Sequence, residues 1–148
     1  MKLLLTLILT AAYVLAYDKG DTLSFSMTQT LKMKHDKLYV VDFFASWCGS
    51  CKKEMPLIKK INSQIDPNKI EIIGIDVDTK LENALAFQKN MDVNFRVIND
   101  NDNAIIKEFK ALGMPSLYYI KNGKVLDIIV GAVHDIDQRL LSDFKKFQ

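Results

Sequence analysis

Hydrophobic and polar positions along this chain follow two alternating periods. Residues 38–45 (LYVVDFFA) form an apolar, β-branched and aromatic run broken by one aspartate, the pattern of a buried central strand. From Gly49 the period lengthens. Met55, Ile58, Ile61 and Ile65 recur at three-to-four spacing with lysines on the other face, which predicts a helix kinked at Pro56 and stopped by Asp66-Pro67-Asn68. Residues 70–77 (IEIIGIDV) predict a second buried strand. Thr79 with Glu82 reads as a capping box opening a helix to about Met91. A short strand at 95–98, a polar turn at 99–103 and a helix over about 102–110 follow. Strands at 116–121 and 124–131 flank Asn122-Gly123, a hairpin turn signal, and Asp135 with Gln138 caps a last amphipathic helix. Between 22 and 27 apolar and polar residues alternate, which reads as a short strand. The order predicts an α/β fold of one domain, its parallel sheet covered by helices on both faces and its closing hairpin forming an antiparallel edge.

The first sixteen residues, MKLLLTLILTAAYVLA, break from this pattern. One lysine precedes an apolar stretch relieved by two threonines and ending in Val14-Leu15-Ala16. That is the layout of a secretory signal, shorter than the roughly 20 residues a spanning helix prefers. An uncleaved membrane anchor is the other reading. The expected organisation is therefore 1–16 signal peptide or anchor, 17–37 N-terminal extension, and 38–148 the folded domain. Export would place the protein on the outer side of the cytoplasmic membrane or in a periplasm.

Charge adds little. Twenty basic and eighteen acidic residues are interspersed, giving a net +2 with no basic stripe, so nucleic acid is not an expected partner. The cysteines add much more. Cys48 and Cys51 are the only two, and they adjoin the only tryptophan, Trp47. A bridge across two residues closes too small a loop to stabilise a fold appreciably. Zinc would want about four ligands, and Cys48, Cys51, His35 and His134 lack the spacing of a tetrahedral site. The remaining reading is redox chemistry. Cys48 opens the helix and Cys51 lies one turn on, on the same face. Unpaired N–H groups and the positive dipole end at the helix start favour a thiolate on Cys48. In Cys-x-x-Cys motifs the thiol pKa falls from about 8.5 to between about 3.5 and 7.5. Such a thiolate attacks a disulfide, and Cys51 resolves the mixed disulfide.

SWCGSC after VVDFFA, then GMPS and NGKVLDIIVGA downstream, resembles the thioredoxin superfamily; CKKEMP resembles its exported TlpA/ResA-like branch. The likeness covers about residues 38–148. It implies a thioredoxin-like fold with a mixed central sheet and a TlpA-type β-α insertion between Ile70 and Ile98. It also implies a cis peptide before Pro115, lying against the disulfide, with the Met114 backbone free to pair with a bound peptide. Asp42 matches a buried carboxylate beneath the second cysteine that takes its proton; the alternative is a paired structural aspartate. Glu54 matches an acid that tunes thiol acidity; the alternative is a solvated helix face beside Lys52 and Lys53. Trp47 matches the residue that shields the disulfide and docks partners, and Gly49-Ser50 the dipeptide that influences redox poise. Ser50 and Arg96 stand where relatives often have proline, and many TlpA-like sequences lack the strand carboxylate.

The implied activity is an exported protein-disulfide reductase needing no organic cofactor or metal, since the dithiol is the redox group. The implied substrates are exported proteins with cysteine pairs, apocytochrome c among them, and the electron donor a membrane thiol transporter. The competing readings are a disulfide-forming oxidase or isomerase, and a non-catalytic peptide-binding or chaperone module using Trp47, Met114 and Pro115 alone. His35 and His134 read as exposed. Asp100-Asn101-Asp102-Asn103 lacks the glycine and glutamate of a calcium loop and reads as a turn and helix cap.

Overall fold

The computed structural model describes residues 16–148, so the leader predicted at 1–16 lies almost wholly outside the described residues. Five strands form one sheet in the order β3-β2-β1-β4-β5. The apolar run becomes β1 (Leu38–Phe44), buried along its whole length at the sheet centre. β2 (Ile70–Asp76) pairs parallel to it from Leu38 opposite Ile70 to Phe44 opposite Asp76, and β3 (Arg96–Asn99) extends the parallel edge. β4 (Ser116–Lys121) runs antiparallel on the other side of β1, and β5 (Lys124–Val130) closes the hairpin. Asn122 and Gly123 both take positive φ, 53° and 73°, as a tight hairpin turn requires. The mixed sheet and the β-α insertion match the thioredoxin-like expectation.

Side chains alternate across a strand, and this parity assigns the two faces. Tyr39, Val41 and Phe43 of β1 join Ile105 and Phe109 of α4 (Ala104–Phe109) in one apolar cluster. Leu38 and Val40 join Ile58 and Ile61 of α2 (Gly49–Asn62) and Leu140 and Phe144 of α5 (Ile136–Phe147) in the other. Asp42 shares the parity of Leu38 and Val40 and so belongs to the face that α2 covers. α2 is a single helix on both sides of Pro56. The insertion supplies α3 (Leu81–Asn90), followed by β3. Among the described residues no helix is long and apolar enough to cross a membrane.

Three local expectations are corrected. Residues 22–27 are not a strand: only Thr22 makes a β-bridge, to Lys124, and the chain then forms α1 (Phe25–Thr30), whose N-cap Ser24 accepts the Met27 N–H at 3.0 Å. The buried positions are Leu23, Met27 and Leu31, an i, i+4 series, while Phe25 is 80% exposed. The Thr79–Glu82 capping box does not form. α3 opens at Leu81 with Lys80, not Thr79, at the N-cap position, and no side chain caps it. Asp135 is the N-cap of α5 but makes no capping bond; its backbone lies outside the usual cap region, at φ −109° and ψ 53°. The 100–103 segment is the expected turn and cap, with the Asp100 carboxyl accepting the Ile105 and Ile106 N–H groups at 3.0 and 2.9 Å.

Arg96 acquires a role. Its Nε donates to Glu71 Oε1 at 2.7 Å and its guanidinium donates to the Leu31 carbonyl at 2.8 Å, while Lys37 Nζ donates to Glu71 Oε2 at 2.7 Å. The cluster ties the end of α1 to the edge of the sheet. Burial works against the Glu71 carboxylate, but the Lys37 and Arg96 hydrogen bonds and charges outweigh it and hold its pKa low. A lowered pKa means this stabilisation is present above the unfolded glutamate value and fades as pH falls through the folded one. Arg96→Ala is expected to lower stability by about 1–2 kcal/mol at pH 7, the range left for half-exposed charged hydrogen bonds after solvent screening. Urea unfolding checks this, and the deficit should shrink on acidification.

Candidate active site

Between β1 and α2 the chain turns within four residues. The Cys48 N–H donates to the Ala45 carbonyl at 3.1 Å, closing a turn over Ala45–Cys48. Cys48 is the N-cap of α2, with extended backbone, and its Sγ accepts the Cys51 N–H at 3.2 Å. The two cysteines are joined as a disulfide with Cα atoms 5.3 Å apart. No acidic residue lies in the first turn of α2 to offset its dipole. The positive helix end and a backbone donor therefore converge on Cys48, the arrangement that favours a thiolate once the bond opens.

The disulfide packs against Phe44, Met55 and Phe87, with Met114 at the margin. In front of it runs a groove of about 460 Å³, between Trp47, Cys48 and Ser50 on one wall and Ile106, Leu112 and Met114 on the other. Cys48 lines this groove and Cys51 does not. Trp47 is 66% exposed and Leu112 85%, so both groove walls carry uncovered apolar surface. The Met114-Pro115 peptide is cis, as the resemblance implied, and the Pro115 carbonyl accepts the Gly131 N–H at 2.9 Å.

Two carboxyl groups lie under α2, each 4% exposed or less. Asp42 Oδ1 has no hydrogen-bond partner, so the paired structural aspartate considered above does not describe it. Burial, reinforced by the charge of Glu54, pushes the Asp42 pKa up to about 7. Glu54 does not sit on a solvated helix face. One of its oxygens accepts the Val133 N–H from the loop before α5, and the other is buried without a partner. Burial raises its pKa, and the Val133 bond opposes the rise. Glu54, Lys53 and Ser50 face His134 and Val133 across a second groove of about 560 Å³, so Ser50 borders both grooves. His35 and His134 have side chains 79% and 99% exposed. No three His, Cys, Asp or Glu residues among the described ones cluster as metal ligands.

The sequence reading passed over Ser46, Asp76 and Asp78. Ser46 donates its N–H and its hydroxyl to the two oxygens of Asp78, both at 2.8 Å. The signal was present as two aspartates at the C-terminal end of a buried parallel strand, where α/β sheets gather polar function.

Comparison with known proteins agrees with this geometry. Residues 14–128 match the AhpC/TSA family. The chain is 33% identical over 92 residues to the thiol-disulfide oxidoreductase ResA of Bacillus thuringiensis, covering 62% of this chain and 53% of that one; it thus spans about half the length of such relatives. It is 30% identical over 97 residues to thioredoxin of Malassezia sympodialis, covering 66% of this chain and 71% of that protein. A thiol:disulfide interchange protein of the thioredoxin family from Chlorobium tepidum superposes with a TM-score of 0.63 at 25% identity, covering 79% of this chain and 84% of the other.

The raised pKa of Asp42 has a consequence for stability. The folded value of about 7 lies above the unfolded aspartate value of about 3.9. The contribution of this group is therefore full below about pH 4 and is lost as pH rises to about 7. Asp42→Asn is expected to flatten that slope and to raise stability at pH 8 by about 1–3 kcal/mol, once the cost of a buried amide is set against the relief of a buried charge. Urea unfolding across this pH range is the measurement.

Proposed function

We propose, from the premise that the chain belongs to the AhpC/TSA family and resembles its ResA-like, thioredoxin-fold members, that it is an exported thiol–disulfide oxidoreductase working as a protein-disulfide reductase. The observation that carries this reading is the placement of Cys48. It caps α2, accepts the Cys51 N–H and lines an apolar groove, while Cys51 is held behind it.

In the proposed cycle the Cys48 thiolate attacks one sulfur of a substrate disulfide. The substrate S–S bond breaks, its other sulfur leaves as a thiolate, and a mixed disulfide to Cys48 forms. Cys51 then loses its proton and attacks the Cys48 sulfur, releasing the reduced substrate and restoring the Cys48–Cys51 bond. Asp42 is the proposed acceptor of the Cys51 proton. Its Oδ1 is unpartnered and its pKa of about 7 suits transfer near neutrality. Glu54, already engaged by Val133, acts on Asp42 through its charge. Trp47, Met114 and Pro115 form the docking surface, and Gly49-Ser50 tune the poise. A membrane thiol donor returns the two electrons. The substrate class is exported proteins with cysteine pairs, with apocytochrome c before haem attachment as one case. The leader pattern at 1–16 supports action on the outer side of the membrane.

Two measurements test this. Equilibration with dithiothreitol or glutathione buffers is expected to give a reduction potential near or below about −270 mV, the thioredoxin value, whereas about −120 mV would mark a disulfide-forming oxidant. Cys51→Ala is expected to accumulate covalent adducts on Cys48 that dithiothreitol releases; full cellular function of Cys48→Ser would instead identify a binding module.

A further inference from the structure

Ser46 and Asp78 form a clamp on the segment that delivers Cys48. Ser46 follows the first residue of the Ala45–Cys48 turn, and the Asp78 carboxyl holds it by the backbone N–H and by the side-chain hydroxyl, both at 2.8 Å. Asp78 is itself fixed. Its N–H donates to Asp76 Oδ1 at 3.1 Å, and its carbonyl accepts Asn101 Nδ2 at 2.6 Å. Asp76 is completely buried and accepts Gln88 Nε2 from α3 at 2.9 Å; the same Gln88 nitrogen reaches Asn99 of β3 at 2.6 Å. The β-α insertion is thus wired by a chain of hydrogen bonds, buried at Asp76–Asp78 and half-buried elsewhere, to the turn ahead of the redox sulfur.

We propose that Asp78 is a positioning residue for thiol–disulfide exchange: through Ser46 it keeps the Ala45–Cys48 turn closed when the disulfide opens, so that Cys48 Sγ stays on the Cys51 N–H. The proposal rests on the redox reading above. In the disulfide state the covalent bond itself fixes Cys48. In the dithiol state that tether is gone, and the turn must hold the sulfur at the helix start. The clamp therefore stabilises the reduced form more than the oxidised one. A merely structural residue stabilises both alike and leaves their equilibrium unmoved. A purely electrostatic role has the opposite sign, because removing a carboxylate near a thiolate favours the thiolate.

The experiment compares the full chain with Asp78→Ala, Asp78→Asn and Ser46→Ala. Two readouts are used: the dithiol–disulfide equilibrium against dithiothreitol, and the pH profile of Cys48 alkylation. Asp78→Ala is expected to shift the equilibrium about three- to tenfold toward the disulfide and to raise the Cys48 pKa by about 0.5–1 unit, the size of a lost cap interaction on a thiolate. Ser46→Ala, which keeps the backbone bond and disturbs the fold less, is expected to move both readouts the same way by about two- to threefold. Asp78→Asn should restore the wild-type values, since its amide oxygen can accept the Ser46 N–H and its NH₂ can donate to the Ser46 hydroxyl. Unchanged equilibria in Ser46→Ala and Asp78→Ala, with normal exchange in the wild type, would overturn the clamp and leave the redox reading intact. A Cys48 pKa that falls in Asp78→Ala, or an Asn variant that fails to rescue, would also overturn it. A wild-type disulfide that does not exchange with dithiothreitol would remove the redox reading itself, and the clamp with it.

Discussion

A sulfur can cap a helix and also reach a partner only where the chain passes from strand to helix within a few residues. β1 ends at Phe44, α2 begins at Gly49, and Cys48 is the hinge between them. The rest of the molecule serves that corner. The strand must be buried on both faces to hold its direction, and it lies at the sheet centre for that reason. Phe44, Met55 and Phe87 back the disulfide with apolar surface, which leaves the groove as its approach. Gly74 belongs to the same arrangement. A Cβ there would lie 2.6 Å from the Phe44 ring and 2.9 Å from that of Phe95, so the bare backbone of β2 lets the aromatic backing come close.

Electrostatics at the site follows from strand parity. Asp42 must face α2 because Leu38 and Val40 do. Glu54, three residues after Cys51, brings a second carboxyl under the same helix. Two buried acids cannot both ionise cheaply. The Val133 N–H favours the charged form of Glu54, and nothing comparable reaches Asp42 Oδ1. Burial and the Glu54 charge therefore hold the Asp42 pKa up, to about 7.

Much of this was legible in the linear pattern, for identifiable reasons. An aspartate inside LYVVDFFA stands out because no neighbour is polar, and Asn-Gly between two apolar runs specifies a hairpin by backbone conformation alone. What stayed hidden depends on contacts between distant segments. Glu54 reads either as an acid that tunes the thiols or, beside Lys52 and Lys53, as solvated, and the choice rests on its burial and on the Val133 N–H, 79 residues on. Ser46 and Asp78 are 32 residues apart, so the two aspartates at and just beyond the end of β2 are visible in the sequence but their partner is not. The Leu23, Met27, Leu31 spacing was available, but the alternation with exposed Phe25 competed with it at equal length. Arg96 looked like a missing proline and is a three-way tie.

The manner in which residues 17–37 join the body bears on where the protein can be cut. Leu23, Met27 and Leu31 lie in the same cluster as Tyr39 and Ile120, and the Leu31 carbonyl is held by Arg96. A fragment trimmed to begin at β1 would uncover the part of that sheet face which α4 does not reach and would cost Arg96 its bond to the Leu31 carbonyl. The smallest portable unit of this protein accordingly takes in residues 17–37, a stretch that the family match at 14–128 also spans.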